Sequence, residues 1–362
     1  MSSMFGNTVK ISIFGQSHSQ NIGVVIDGIP AGHKIDLEEV ALFMRRRAPG
    51  NDTVSTKRKE TDEPHILSGL VDGITCGAPL CVVFDNANTH SSDYDSLKDI
   101  PRPAHSDYPA FVKHHGFNDI RGGGHFSGRL TAPLCFAGAV CIQLLREKHI
   151  HVGAHILEIA GIRDDSFDSV NITEKDFQKI HDSPKPLLNQ SVWTKMEEKV
   201  LLALKEQDSV GGIIECAVTG LPVGLGNPMF DGVENRISTA IFAVPAVKGI
   251  EFGNGFACAG LRGSQNNDEF YYDGDVVKTR TNNHGGILGG LTSGMPLVFR
   301  TAFKPTPSIA KEQDSVSLSK KIDTKLNIKG RHDPCVVLRA VPCIESAAAI
   351  ALYDLFLGDK NE

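Results

Sequence analysis

The chain has 362 residues, of which 41% are apolar and 22% are charged. These fractions are ordinary for a globular protein, so a sizeable hydrophobic core is expected. A net charge of −6 argues against a general nucleic-acid binder, so any anionic ligand must be held by a local cluster of basic residues.

The eight cysteines form no C-x-x-C pair and show no zinc-ligand spacing, so no metal site is predicted. The first residues lack a charged segment followed by a long apolar one, which indicates no signal peptide. No apolar run reaches the roughly 20 residues of a membrane span. The sequence therefore predicts a soluble cytoplasmic protein with neither a membrane nor a nucleic acid as partner.

Two short strands and one amphipathic helix are predicted at the start of the chain. The strands Val9–Phe14 and Ile22–Ile29 enclose a turn that carries His18. Asp36 is a suitable N-cap for the helix that follows, with glutamate three residues later at capping-box spacing. This helix ends at Arg45–Arg47, and three consecutive arginines exceed what the helix dipole alone explains.

The remaining elements alternate strand groups with helices, without a strict βαβ order. This arrangement favours an α+β fold over a doubly wound sheet, and residues 1–362 are predicted to form a single domain. In chain order they are strands Ile66–Val71 and Leu80–Asp85, a loop over Asn86–Ile100, a helix over Ala132–Leu145, a strand over His151–Ile159, an irregular polar segment Asp164–Pro186, a helix over Ser191–Lys205, a strand over Gly211–Gly220, a helix over Asp231–Phe242, glycine-bounded strands or turns in Gly249–Leu261, Gly285–Gly290 and Leu297–Phe303, and a final helix from about Glu345 to Leu357.

The segment Arg121–Thr131 (Arg-Gly-Gly-Gly-His-Phe-Ser-Gly-Arg-Leu-Thr) is the most unusual stretch of the chain. Consecutive glycines permit positive φ and close approach of a ligand, and a helix N-terminus after them favours an anion. A tight turn that lets a buried helix pack closely explains the same residues. The glycine spacing is one residue too long for G-x-G-x-x-G, and no P-loop motif occurs.

Several further loops combine basic, hydroxyl and imidazole groups. Lys57-Arg58-Lys59 follows the arginine run, and a proline-stiffened loop covers Arg102–Tyr108. Lys304–Ser308 and Gly330–Pro334 are two more compact loops of this kind. Rigid loops with mixed chemistry are frequent functional positions.

Together these loops resemble those of the chorismate synthase family, in the family's order and from about residue 5 to residue 357. The opening G-Q-S-H-S is similar to G-E-S-H-G, R-P-A-H-S-D to R-P-G-H-A-D, and the glycine segment to R-G-G-G-R-S-S-A-R-E-T. The segment beginning at Gly330 matches G-R-H-D-P-C-x-x-x-R-A-V-P at every specified position.

The resemblance implies a phosphate lyase that converts 5-enolpyruvylshikimate 3-phosphate to chorismate by anti-1,4-elimination, the last common step towards the aromatic amino acids. It implies reduced FMN as cofactor without net redox change. It also implies a helical layer between two antiparallel sheets and a homotetramer. NADPH is expected only as an external or indirect reductant, acting through an external flavin reductase.

The resemblance also assigns residues to this chemistry. It places His18 with Ser17 at the substrate phosphate, His105 near the flavin, and Asp333 at the flavin nitrogen that faces the substrate. The substrate carries two carboxylates and a phosphate, which planar guanidinium groups bind well. The predicted substrate arginines are Arg47, Arg102, Arg129 and Arg339.

The predicted cofactor contacts come from five separate segments. They are His125, Phe126, Ser127, Pro245, Ala246, Gly289, Lys304, Pro305, Thr306, Pro307, Ser308 and Arg331. His125 and Phe126 stand where the family's common motif has arginine and serine, which removes one fixed cation from the flavin rim.

Two other functions compete with this one. A hydrolase could draw a Ser/His/Asp set from Ser17, His18, His105, Asp107 and Asp333. Against it, there is no G-x-S-x-G motif, and the adjacent side chains of Ser17 and His18 point apart if the segment is extended. A non-catalytic flavin- or nucleotide-binding protein could be built on the glycine segment, but it leaves the arginine clusters and both histidines unexplained.

Overall fold

The structure, a computed structural model, describes residues 3–48, 62–86, 97–328 and 333–359. Its helices are α1 Leu37–Arg47, α2 Asp107–Lys113, α3 Thr131–Arg146, α4 Glu174–Asp182, α5 Trp193–Lys205, α6 Val233–Ile241, α7 Gly263–Asn266 and α8 Val337–Asp359. Its strands are β1 Met4–Phe5, β2 Lys10–Gly15, β3 Asn21–Asp27, β4 His65–Ser68, β5 Leu70–Val71, β6 Ile74–Thr75, β7 Leu80–Asp85, β8 His151–Ile159, β9 Ile162–Arg163, β10 Gly212–Thr219, β11 Val247–Phe252, β12 Phe270–Asp273, β13 Val276–Thr279, β14 Ile287–Leu288, β15 Leu291–Thr292, β16 Leu297–Phe303, β17 Gln313–Ser317 and β18 Ile322–Leu326.

Two five-stranded antiparallel sheets enclose a layer of helices. The first sheet has the order β1-β2-β3-β7-β4 and the second the order β11-β16-β10-β8-β9. Helix α3 packs on the first sheet and α8 on the second, and the two helices pack on each other. One main hydrophobic core runs through all three layers. The predicted α+β sandwich is confirmed.

A single glycine sets how closely the two central helices approach. A Cβ atom on Gly138 of α3 would overlap the side chain of Ser346 on α8. The Ser346 hydroxyl in turn donates to the carbonyl of Pro342 at 2.6 Å, within its own helix. Substituting Gly138 would force α3 and α8 apart in a region packed at the density of a crystal.

Two predicted elements were wrong. The segment Asp164–Pro186 contains helix α4, which begins at a capping box of Thr173 and Asp176 that the sequence prediction overlooked. The final helix starts at Val337, eight residues before the predicted start, and includes Pro342. Proline removes one helical hydrogen bond, but burial of α8 between the layers compensates for that loss.

Two helical stretches, residues 128–146 and 337–359, are long and apolar enough to cross a membrane, although the sequence prediction found no such run. In both, 83% of the apolar window is buried inside the fold. They are therefore the core helices of the sandwich.

Helix α1 begins and ends as predicted, and its end is tied to the core. The Asp36 side chain accepts hydrogen bonds from the amides of residues 38 and 39, but no reciprocal bond completes a capping box. At its last turn Arg46 forms two hydrogen bonds, at 2.6 and 3.0 Å, with the fully buried Glu345 of α8. Burial opposes ionisation of Glu345, but Arg46 and His181 outweigh it and lower its pKa to about 2.

A buried histidine in the second sheet gives this fold a testable pH dependence. His155 lies 3.4 Å from Asp164 and 3.0 Å from Glu215, out of contact with solvent. Burial opposes its protonation, yet the hydrogen bonds to the two carboxylates raise the pKa of His155 above its usual value. A raised folded pKa means that this stabilisation is complete below about pH 6.5 and is lost as the pH rises through the folded pKa.

We expect His155→Asn to lower the free energy of unfolding by roughly 3–5 kcal/mol near pH 6, because it leaves two buried carboxylates without their partner. The difference from wild type should shrink as the pH rises. Urea unfolding of both proteins between pH 5.5 and 9 measures it, and a difference that stays constant over this range would contradict the assignment.

Candidate active site

The glycine segment is a close-packed turn rather than an open loop. Gly122, Gly123 and Gly124 have φ values of 60°, 86° and 57°, in the left-handed region that glycine tolerates best. A Cβ atom on Gly122 would lie 2.5 Å from Ser17 Oγ and 2.9 Å from His18 Nε2. Gly122 therefore leaves room for these two side chains, and a Cβ atom on Gly124 would instead overlap the backbone carbonyl of Asp119.

The same turn brings the two predicted catalytic histidines together. A Cβ atom on Gly123 would lie 3.5 Å from His105 Nε2. The neighbouring glycine, Gly122, is the one that lies against His18. The Ser17 amide donates to the carbonyl of Gly124 at 3.0 Å, which fixes the β2–β3 turn against the glycine segment. Two loops that are 87 positions apart in sequence thus meet on three glycines.

His105 is held by an ion-paired network on its other side. Its Nδ1 lies 2.7 Å from an Asp107 oxygen, and Asp107 also accepts from Arg102 Nε at 2.7 Å and Nη2 at 2.8 Å. Burial opposes ionisation of Asp107, but these partners hold its pKa well below the usual range. With Nδ1 donating to the carboxylate, His105 directs Nε2 towards Gly123.

A second carboxylate lies near His18. Asp119 forms two hydrogen bonds of 2.9 Å with Arg121. Chiefly these bonds, and to a smaller extent the nearby charge of His18, lower the pKa of Asp119. Asp119 therefore stays ionised near His18 and is paired mainly with Arg121.

The predicted substrate arginines Arg47 and Arg129 share one buried carboxylate. Arg47 donates to one oxygen of Asp62 and Arg129 to the other. Arg47 also reaches Thr131 Oγ1 at 3.2 Å, and Arg129 Nε reaches Asn86 Oδ1 at 3.0 Å. Both arginines are buried, and we call their cluster with Asp62 the arginine floor.

Arg339 joins this floor to the predicted catalytic carboxylate. Its Nε donates to the backbone carbonyl of Arg47 at 2.9 Å, and its Nη1 lies 2.6 Å from an Asp333 oxygen. The predicted cofactor residue Arg331 and the lysine-rich run at residues 57–59 lie outside the described residues.

The predicted cofactor loop Lys304–Ser308 packs against the His105 loop. The Lys304 ammonium donates to the carbonyl of Ala104, and its amide donates to Ala246 at 3.0 Å. Ala246 directly follows Pro245, another predicted cofactor residue. Pro305 and Pro307 restrict the backbone of the Lys304–Ser308 loop. Ser308 Oγ accepts from Arg102 Nη1 at 3.1 Å. The contacts therefore place Arg102, predicted to bind substrate, beside the predicted cofactor loop.

These residues fit the phosphate of an FMN. The Thr306 hydroxyl oxygen is buried and has no hydrogen-bond partner among the described residues. Burial, together with the nearby charge of Lys248, lowers the pKa of Lys304. Two cations close together and an unsatisfied hydroxyl are the groups that a bound phosphate would satisfy.

Four other predicted cofactor residues belong to the glycine segment and to the β14–β15 hairpin. His125 uses both ring nitrogens, at 2.7 Å from Gly15 O and 2.7 Å from Ser3 Oγ, so its imidazole is engaged at the end of β2. Phe126 is partly exposed, and Ser127 accepts from the amide of the predicted substrate residue Arg129 at 3.2 Å. Gly289 lies exposed in the β14–β15 hairpin, where a Cβ atom would meet open space.

Two charged residues of this site are absent from the sequence prediction. Asp62 lies in a polar run, and nothing in that run distinguishes it before its burial between two arginines is known. Lys248 belongs to a segment that matches the family, but only its proximity to Lys304 gives it a place in the site.

Comparison with known proteins identifies the family to which the chain belongs. The family model described as chorismate synthase matches residues 9–357. The chain is 46% identical to the chorismate synthase of Lancefieldella parvula, over all of this chain and 98% of the relative. It is 43% identical to that of Thermococcus kodakarensis, over 98% of this chain and 97% of the relative.

The chain belongs to the chorismate synthase family. A solved chorismate synthase structure shares the fold with a TM-score of 0.76 and 26% identity, covering 98% of this chain and 93% of the other. The activity of the chorismate synthase family is the elimination of phosphate from 5-enolpyruvylshikimate 3-phosphate to give chorismate, so the chain is a carbon–oxygen lyase.

Proposed function

We propose that the elimination takes place at the glycine segment, between His18 and His105, on reduced FMN bound at the Lys304–Ser308 loop. The observation that carries this proposal is the contact of adjacent glycines, Gly122 and Gly123, with the two histidines. No other part of the described chain brings two of the predicted catalytic groups onto one turn.

Each group then has a defined task. Reduced FMN, when bound, supplies electron density to the allylic system as the C–O bond breaks and regains it as the C–H bond is lost. His18 donates a proton from its imidazole to the leaving phosphate, for which a histidine is suited near neutral pH. His105, oriented by Asp107, would keep the cofactor in its reactive protonation state. Asp333 would manage the proton on the flavin ring nitrogen and so take up the proton released when the C–H bond breaks, which balances the proton that His18 gives to the phosphate.

The test of this function is anaerobic. The protein is mixed with chemically reduced FMN and 5-enolpyruvylshikimate 3-phosphate, and chorismate absorbance and phosphate release are followed together. Equal amounts of both products, absent with oxidised FMN, are expected. Binding of both ligands without turnover would favour the non-catalytic flavin-binding function instead, and labelling by a covalent serine probe would favour the hydrolase.

The cofactor assignment predicts a loss of FMN affinity in two variants. Lys304→Ala should raise the Kd for FMN by roughly 10–100-fold, the effect of losing a hydrogen bond to a charged group. Thr306→Val keeps the shape and removes only the hydroxyl, so a roughly 3–10-fold rise is expected. Fluorescence titration with FMN measures both.

Lys311→Ala is the matched control, since Lys311 is a half-exposed lysine on the same connection that pairs with Asp208 at 2.8 Å. Its Kd for FMN should equal that of wild type. An unchanged Kd in Lys304→Ala would remove this loop from the cofactor site.

We further propose, from the family resemblance, a cytoplasmic homotetramer of single-domain chains that depends on an external flavin reductase. Phe117, Phe230 and Phe256 are each more than 80% exposed, which supports burial of these surfaces between subunits. Light scattering that gave the 39.1 kDa mass of one chain would contradict the tetramer. Reduction of FMN by NADPH with the purified protein alone would contradict the external reductase.

A further inference from the structure

The carboxylate of Asp62 is placed where two cations converge. The residue is 6% exposed and has a φ of 47°. One of its oxygens accepts from Nε and Nη2 of Arg47, and the other accepts from Nη1 of Arg129. Aspartate is among the few residues that adopt this backbone conformation readily.

We call the contact of Asp62 with Arg47 and Arg129 the Asp62 bridge. Charge explains why a carboxylate is needed between the two arginines. Two guanidinium groups that bind the two oxygens of one carboxylate lie close together, and without that carboxylate they would repel each other in a poorly solvated site. Burial opposes ionisation of Asp62, but Arg47 and Arg129 together lower its pKa below the usual value. The two arginines and Asp62 therefore form a buried cluster in which one carboxylate lies between two cations.

The bridge also connects to the rest of the site. The Arg129 amide donates to Ser127 Oγ within the glycine segment. The backbone carbonyl of Arg47 accepts a hydrogen bond from Arg339 Nε at 2.9 Å. Asp62 therefore joins guanidinium groups from two separate segments, helix α1 and the glycine segment. Asp62 is the shared contact that holds the two guanidinium groups in place.

We propose that Asp62 is a positioning residue that holds Arg47 and Arg129 as a paired cation for the anionic groups of the substrate. The inference rests on the proposed assignment of these arginines to substrate binding. Asp62 itself touches neither substrate nor cofactor and acts only through the two guanidinium groups.

The test compares Asp62→Asn with Asp354→Asn. Asp354 is likewise buried and pairs with Arg236, but it also binds the backbone of residues 7–9, outside the site. Asp62→Asn should raise KM for the substrate by roughly 10–100-fold and change kcat by less than about threefold. Asp354→Asn should lose thermal stability with KM within about twofold of wild type.

Calorimetric titration of the substrate, with oxidised FMN present, gives a second readout that does not need turnover. The Kd of Asp62→Asn should rise by the same factor as its KM, while its Kd for FMN stays unchanged. If wild type forms no chorismate, the proposed function fails, yet the substrate Kd of the two variants still tests Asp62.

A third variant covers the case in which Asp62→Asn does not fold. Asp62→Glu keeps the charge but moves it by one methylene, so it should remain folded with KM raised roughly 3–10-fold. Wild-type KM in either variant would overturn the proposal, because the arginines would then hold their positions unaided. Tighter substrate binding in Asp62→Asn would also overturn it, because Asp62 would then compete with the substrate.

Discussion

His18→Ala is expected to lower kcat by roughly 10²–10⁴-fold, the usual effect of removing a positioned acid or base. The imidazole is half-buried, in contact with Gly122 and close to the charge of Asp119. Its loss leaves the departing phosphate without the proposed proton donor, whereas the arginine floor, proposed to bind the substrate anion, is untouched. KM should therefore change much less than kcat, as measured in the anaerobic chorismate assay.

His33→Ala is the matched control for this variant. His33 also pairs with a carboxylate, Glu147 at 2.7 Å, and its backbone hydrogen-bonds to Thr75 on strand β6. It should retain wild-type kcat. Near wild-type turnover in His18→Ala would refute proton donation by this residue and move the task to another group of the site.

The sheets and long helices were largely predictable because their signals are local. Strand β8 and helix α1 end where the sequence predicts, since apolar spacing and end residues define them. The start of α8 was not predictable in the same way. Pro342 weakens the local helical signal, and only burial against both layers carries the helix through it.

The site shows the same division between local and long-range information. The family motifs predicted His18, His105 and the glycine segment, and the structure brings these together. The bridge at Asp62 was not predictable, because it depends on two arginines 15 and 67 positions away. Arg102 and its partner Asp107 belong to the same motif, whereas the contact of Arg102 with Ser308 is known only from the packing of distant loops.

His105→Ala should also lower kcat by roughly 10²–10⁴-fold, while the Kd for substrate stays close to that of wild type. Because Asp107 orients this imidazole, Asp107→Asn should give a smaller loss with His105 still present. The pKa of Asp107 is held below its usual value of 3.8 by Arg102 and His105 despite its burial. Asp107 therefore stays ionised at any pH above that value.

A pH dependence of kcat between pH 5 and 9 that disappears in His105→Ala would therefore arise from the His105 imidazole and not from the Asp107 carboxylate. Anaerobic pH–rate profiles of wild type, His105→Ala and Asp107→Asn make this comparison. Equal losses of kcat in the two variants would show that His105 acts only as part of the ion-paired network with Arg102. A larger loss in His105→Ala, with the network kept in place by Asp107 and Arg102, would assign the proton to His105 itself.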